Sequence, residues 1–184
     1  MPPDATETKR RLLKAAIDEF ATYGLAGARV DRIAEQASAN KRSIYMHFGA
    51  KEELFDRVVG DCMAELAAAV VVDAGDLPRY AGALFEQLEG RPHVRRLHLW
   101  AGLERQQPVE AEVVEYRRNV AAIAAAQEAG TVRSDIPAVE LLAMVVALVI
   151  SWDTASWSLK ALGDDSFAGR KAAVQAAVEG MVRP

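Results

Sequence analysis

The chain has 184 residues, of which 51% are hydrophobic and 26% charged, and its net charge is −4. This composition is typical of a soluble globular protein. The single cysteine, Cys62, excludes an intramolecular disulfide framework and favours a reducing compartment. The longest apolar run, Leu141–Ile150, is too short to span a bilayer, and the first residues lack a signal-peptide pattern. We therefore expect a cytoplasmic protein without a membrane partner.

The charge is unevenly distributed along the chain. Residues 1–51 carry nine Lys or Arg and six Asp or Glu, a balance of +3. Residues 52–184 carry thirteen against twenty, a balance of −7. A basic N-terminal part on an acidic body steers that part toward a polyanion. Ordinary scatter explains a surplus of three almost equally well.

The first elements of the chain are helical. Apolar residues recur with helical spacing over about Thr6–Tyr23 and again over Val30–Ala37. Only Ser38 and Ala39 separate the second segment from a third, Asn40–Phe48. Two short helices joined so closely are typical of a helix-turn-helix. A left-handed Ser38 in this turn costs roughly 1 kcal/mol more than glycine, which is tolerable.

The third segment has the features of a helix that meets an anion. Asn40 is a good N-cap, because its side-chain oxygen can accept a hydrogen bond from a free amide of the first turn. Lys41 and Arg42 then lie in that turn, where the helix dipole disfavours cations. This conflict is explained if the two cations bind an external anion. Ile44 and Phe48 form the apolar stripe that holds the helix in place.

The rest of the chain is also predicted to be helical, because strand-like alternation with hairpin turns is absent from the sequence. One helix begins near Lys51. Further helices are predicted over about Pro78–Glu89, Pro92–Gln107, Val109–Ala129, Pro137–Leu162 and Ser166–Met181, with a break at residues 163–165 between the last two. The predicted fold class is all-α.

The last two predicted helices carry more apolar surface than one small domain can cover. Leu141–Trp152 is apolar nearly all round. The final helix alternates bulky Val174 and Val178 with small residues such as Ala173 and Ala177. We therefore expect these helices to pair across a two-fold axis in a homodimer. Packing within one chain is the alternative.

Catalytic and metal-binding constellations are poorly supported. His93 and His98 are five residues apart, rather than the four that place two ligands on one helix face. The sequence contains neither a Gly-rich phosphate loop nor a nucleophile elbow. Cys62 lies on an apolar helical stripe and is interpreted as a core residue. We predict no catalytic residue, no metal site and no cofactor, and an enzyme remains the disfavoured alternative.

Residues 10–55 resemble one family specifically. The segments that carry the resemblance are Gly24–Val30, Ile33-Ala34, Ile44–Phe48 and Lys51–Phe55. Their order and spacing resemble the DNA-binding domain of the TetR (tetracycline-repressor) family of bacterial transcription regulators. Arg29 and Ala50 depart from the family pattern, because hydroxyl or amide helix caps usually occupy these positions.

The resemblance implies a homodimer with a helix-turn-helix domain over residues 1–52 and a helical regulatory and dimerisation domain over residues 53–184. It implies operator DNA as the partner and a repressor released by a small-molecule effector. A ligand-independent regulator, or an activator, is the alternative. Lys41, Arg42 and Ser43 are expected to face base edges, and Tyr45, His47 and Lys51 to contact phosphates, with Asn40 as the cap at the start of the interface.

Aromatic residues of the C-terminal body are candidates for an effector pocket. TetR-like proteins enclose such a pocket between helices. Trp100 and Trp152 fall in the middle of their predicted helices, Tyr116 lies on the helix between them, and Arg117 offers a polar handle. Plain core packing explains these aromatic residues equally well.

Overall fold

The computed structural model describes residues 5–163 and 166–184, and all regular structure in these ranges is helical. The all-α prediction is confirmed. The helices are α1 (Ala5–Gly27), α2 (Val30–Gln36), α3 (Lys41–Phe48), α4 (Lys51–Ala69), α5 (Leu77–Glu89), α6 (Pro92–Glu104), α7 (Glu110–Glu128), α8 (Ala138–Val149), α9 (Ser151–Thr154), α10 (Trp157–Lys160) and α11 (Phe167–Val182). Asp164 and Asp165, placed by the sequence in a break between helices, lie outside the described residues. Within those ranges, each helix is too short or too polar to cross a membrane.

The chain forms two compact units that are not simple halves of the sequence. The first comprises the described residues through Glu65 together with Arg91–Val113, and the second comprises Leu66–Gly90 and the chain from Val114 onward. Helix α6 therefore packs with the N-terminal helices. The domain boundary predicted after residue 52 stays a prediction.

The core of the first unit is built from apolar residues of several helices. The rings of Phe20 and Phe55 meet edge to face, with centroids 5.1 Å apart. Leu12, Ile33 and Ile44 are fully buried. Each such side chain contributes about 1.5–3 kcal/mol by leaving water, so this cluster fixes how the short helices sit on α1.

The turn between α2 and α3 has the predicted conformation. Ser38 has φ of 48°, and its amide donates to the Glu35 carbonyl at 2.9 Å. The Ala39 amide donates to the Ala34 carbonyl at 2.9 Å. Ala34 is only 5% exposed, so its small side chain allows the two helices to approach closely. The helix-turn-helix prediction is confirmed.

Side chains of α6 bind the end of α1. The Arg96 guanidinium donates to the carbonyl oxygens of Ala21 and Thr22, the latter at 3.1 Å. The Glu104 carboxylate accepts from the amides of Leu25 and Ala26. Free carbonyls and amides at a helix end need such partners, and here another helix supplies them.

Gly24 lies between these two sets of hydrogen bonds. Its φ of 69° and ψ of −176° fall in a region that only glycine adopts readily. A Cβ added there would lie 2.8 Å from Cε3 of Trp100 and 2.9 Å from a carboxylate oxygen of Glu104. The bend in α1 and the close approach of α6 therefore both require glycine.

The second unit is centred on the packing of α11 with α5 and α8. Ile123, Leu141, Val145 and Val178 have no exposed surface. The rings of Phe85 and Phe167 lie 5.4 Å apart between centroids.

The predicted helix over Pro137–Leu162 is wrong, because the structure breaks it into α8, α9 and α10. The Ser151 hydroxyl donates to the Leu148 carbonyl at 2.7 Å, where a serine side chain competes with the backbone ladder. Ala155 is extended, and the Ser156 side chain accepts from the Leu159 amide to cap α10. These local hydrogen bonds interrupt the helix at positions where the apolar periodicity predicted that it would continue. The other helix ends differ from prediction by a few residues.

We expect Gly24→Ala to lower the free energy of unfolding by roughly 2–4 kcal/mol, because it adds backbone strain and a clash with Trp100. Gly102 is the matched control. It lies inside α6 with ordinary φ and open space around its Cα, so Gly102→Ala should stabilise by about 0.5–1 kcal/mol. Urea unfolding monitored by circular dichroism measures both. Equal effects of the two substitutions would contradict this account.

Candidate nucleic-acid interface

Helix α3 begins with the predicted cap. The Asn40 side-chain oxygen accepts from the Arg42 amide at 2.8 Å. A cap of this kind stabilises a helix by about 1 kcal/mol. Ile44 is fully buried in the first unit and Phe48 is half-buried, so the helix is held by its cap and by the predicted apolar stripe.

The outward face of α3 is formed by Arg42, Tyr45 and Met46. Tyr45 is 49% and Met46 70% exposed, and Arg42 is exposed as well. Their spacing of three and four residues places them together, opposite Ile44. Ser43 and His47 are half-buried at the edges of this face. The sequence prediction omitted Met46, although its position four residues after Arg42 would have placed it on the same face.

Lys41 is not free in this structure. Its Nζ lies 2.8 Å from Oδ1 of Asp31 on α2, and both side chains are largely exposed. The hydrogen bond from Lys41 lowers the pKa of Asp31, so the carboxyl stays ionised. The sequence predicted that Lys41 faces base edges beside Arg42. That role stays a prediction, and the structure places the ammonium group at Asp31 instead.

The start of α4 compensates for the missing cap at Ala50. The Glu53 carboxylate accepts from the Ala50 amide at 2.6 Å. Lys51 is half-buried, and its Nζ lies 3.3 Å from the Ala28 carbonyl oxygen. This contact positions the ammonium group beside the loop that precedes α2.

The start of α2 is stabilised by a side chain of α1. Arg29 provides no side-chain cap, in line with its departure from the family pattern. Glu19 is only 5% exposed and accepts from the Arg29 amide at 2.7 Å and from Nε of Arg32 at 2.8 Å. The Arg32 guanidinium also lies over the Tyr23 ring, 4.3 Å from its centroid. A buried carboxylate thus replaces the missing local cap.

The four predicted ligand residues are divided between the units. Trp100 belongs to the first unit and packs over Gly24. Tyr116, Arg117 and Trp152 belong to the second, where Trp152 is half-buried with its ring against Gly163. Their ligand-binding role stays a prediction.

Two grooves of the second unit are lined by other residues. One of about 260 Å³ is lined by the end of α4 and by Arg79 and Tyr80. The other, about 430 Å³, lies around Arg133.

Burial raises the pKa of Cys62 to about 11, which keeps this thiol protonated, as expected for a core residue. In residues 5–163 and 166–184, His, Cys, Asp and Glu side chains do not gather in threes as metal ligands would.

A capped recognition helix, held at a fixed angle and exposing polar side chains along one face, defines a helix-turn-helix DNA-binding protein. A family model described as bacterial regulatory proteins, tetR family, matches residues 12–58. A second, described as tetracyclin repressor-like, C-terminal domain, matches residues 76–183. The chain therefore belongs to the TetR family, and it is a DNA-binding transcription regulator.

Individual relatives agree with this assignment. HTH-type transcriptional repressor SCO4008 of Streptomyces coelicolor is 43% identical over 149 residues, which span 79% of this chain and 78% of that protein. The crystal structure of putative transcriptional regulator SCO4942 from the same organism superposes with a TM-score of 0.81 at 36% identity, covering 96% of this chain and 99% of that one. A TetR family transcription regulator from Marinobacter aquaeolei shares the fold, with a TM-score of 0.78 at 16% identity over 97% of both chains.

Proposed function

We propose that this protein is a transcriptional repressor that binds operator DNA in the cytoplasm as a homodimer and is released by a small-molecule effector. The observation that carries the DNA-binding part is the outward face of α3, where Arg42, Tyr45 and Met46 are exposed on a helix anchored by Ile44. Repression is supported by the Streptomyces coelicolor relative at 43% identity, which is named a transcriptional repressor.

Arg42 is the main base reader in this proposal. Its guanidinium fork matches the O6 and N7 acceptors of guanine in the major groove. Tyr45, His47 and Lys51 contact phosphates and set the register. Asn40 caps the helix, and Ser43 contacts a base edge next to Arg42.

The homodimer is supported by the surfaces of α8 and α11. Five small residues of α11 face outward: Ala172, Ala173, Ala176, Ala177 and Gly180. Helix α8, which packs against α11, exposes Ala143, Met144 and Ala147. Small exposed residues allow two helices to approach closely. Val174, however, is 7% exposed and packs inside its own unit, so it does not belong to the proposed seam.

Dimerisation is also needed for specificity. The eight residues of α3 span about 12 Å, which covers few base pairs. Two copies related by a two-fold axis would read a near-palindrome about one DNA turn apart.

The direct test is a gel shift of the full-length protein with the DNA upstream of its own gene, against unrelated DNA of equal length. A preference for the upstream fragment supports operator binding, and equal affinity for both fragments contradicts it. Transcription from that fragment with and without the protein separates a repressor from an activator.

We expect Arg42→Ala to cost about 1–3 kcal/mol in operator affinity and to relax the preference at one base pair in each half-site. Lys51→Ala should weaken operator and random DNA alike and flatten the salt dependence. Fluorescence anisotropy at several salt concentrations measures both effects. Arg183→Ala, which removes a cation after the last helix, is the control for net charge. Equal losses on both DNAs for Arg42→Ala would disprove its role as a base reader.

We expect Ala173→Glu to dissociate the dimer and abolish operator binding, because it places a charge in the proposed seam. Ala64→Glu, at an exposed position of α4, should leave the dimer intact. Light scattering at micromolar concentration measures the mass of each variant. A monomeric parent protein, or a dimeric Ala173→Glu variant, would overturn the assigned interface.

The effector must bind the DNA-incompetent state more tightly than the competent one. A shift from mostly bound to mostly released needs a difference of about 5 kcal/mol between the effector's binding free energies for the two states. Operator DNA must then weaken effector binding by the same factor.

We expect an apolar or amphipathic molecule from a compound panel to change tryptophan emission and lower operator affinity. Trp157 is 85% exposed, so a Trp157→Phe background leaves the signal to Trp100 and Trp152.

In that background, Trp152→Ala should uncouple ligand binding from operator release. If bound compounds leave operator affinity unchanged, the ligand-independent alternative replaces this part of the proposal.

A further inference from the structure

The ion pair between Lys41 and Asp31 joins the first residue of the recognition helix to α2. The Nζ and Oδ1 atoms are 2.8 Å apart, and the two side chains are 46% and 62% exposed. A pair this exposed contributes at most about 1 kcal/mol to stability and is screened by salt. Asp31 also lies in the first turn of α2, where the helix dipole favours an anion by about 0.3–1 kcal/mol. Both contributions to stability are small, which leaves room for a second role of this carboxylate.

Asp31 places an anion beside the cations of the proposed DNA-binding surface. Its carboxylate lies beside the Nζ atom of Lys41, the first residue of α3, which Arg42 follows. A phosphate that approaches Lys41 also approaches this anion. Asp31 thus neutralises one of the two cations and repels the DNA backbone at the same point.

Among the neighbouring arginines, Arg29 acts on Asp31 through its charge, without a hydrogen bond to the carboxylate. Arg32 is held by Glu19, with Nη2 2.6 Å from the Glu19 carboxylate. In the described part of the chain, the Arg42 guanidinium forms no ion pair with a carboxylate. Of the two cations that open α3, one is paired before DNA arrives and the other is available.

We propose that Asp31 is a specificity-determining residue, which holds Lys41 away from phosphates and so weakens sequence-independent binding more than operator binding. This inference rests on the proposed operator-binding role of α3. Non-specific affinity comes almost entirely from cations that meet phosphates. In a non-specific complex the helix can shift to place any free cation on a phosphate. Because Asp31 pairs with Lys41, Lys41 is no longer one of the cations that are free to bind a phosphate.

An operator complex is affected less. Base contacts of Arg42 fix the register of α3 in the groove, so Lys41 cannot move freely to find a phosphate. The selectivity of the protein then depends on Arg42 being free and Lys41 being held. This differs from the sequence prediction, which gave both side chains the same task.

The test compares Asp31→Asn with the parent protein on two duplexes. One is a duplex that the parent protein selects from a random library, and the other is its scrambled version. Release of Lys41 should steepen the salt dependence on scrambled DNA by about 0.9 in log–log slope, a roughly three- to fourfold larger affinity loss between 50 and 200 mM salt. The ratio of selected to scrambled affinity at 50 mM salt should fall about threefold, as measured by fluorescence anisotropy.

Two further variants of the pair separate charge from position. Asp31→Glu keeps the anion and should behave like the parent protein. The double variant Asp31→Asn with Lys41→Met removes both charges, so the salt slope on scrambled DNA should return to the parent value. Circular dichroism melting should show that Asp31→Asn folds, with a loss of stability of no more than about 1–2 kcal/mol from the exposed pair and the first-turn anion of α2.

Asp61→Asn is the matched control. Asp61 pairs with Arg57 at 2.8 Å on α4, with side chains 41% and 54% exposed, so this substitution makes the same change in net charge at a similar ion pair. If Asp31→Asn changes both duplexes equally, or no more than Asp61→Asn does, the inference is overturned. If the parent protein selects no duplex at all, the proposed operator binding fails instead, which keeps the two outcomes distinct.

Discussion

The buried carboxylate of Glu19 is the interaction on which the DNA-binding surface depends. It lies on α1 and accepts hydrogen bonds from the Arg29 amide and the Arg32 side chain, so it fixes where α2 begins. Because α2 in turn contacts α3, the hydrogen bonds of Glu19 position the recognition helix together with the buried Ile33 and Ile44. A carboxylate that is 5% exposed would cost several kcal/mol without partners, and the arrangement therefore persists only while all of them are in place.

Helix α6 belongs to the DNA-binding unit by packing, although the family description places it in the C-terminal domain. The reason is its spacing: Arg96, Trp100 and Glu104 recur every four residues and so share one face. That face satisfies the free backbone groups at the end of α1 and covers Gly24. The end of α1 thus takes its conformation from α6.

Features governed by neighbouring residues could be predicted from the sequence alone. The all-α class follows from apolar periodicity, because a helix is built from contacts three and four residues apart. The Asn40 cap and the left-handed Ser38 depend on backbone groups within a few residues. The TetR resemblance rests on motifs of the same local kind. These predictions agree with the structure because the partner of each group is close in sequence.

Other properties were decided only by the tertiary structure. The pairing of Lys41 with Asp31 joins residues ten positions apart, and it depends on the angle at which α2 and α3 cross. The same is true of Val174, which is 7% exposed and lies on α11, the helix that packs on α5 and α8. Periodicity predicts that a residue shares a face with others, but it does not specify which surface covers that face. The charged and apolar faces of the helices could therefore be predicted from the sequence. The partner that each side chain contacts was determined by the packing of segments that are distant in sequence.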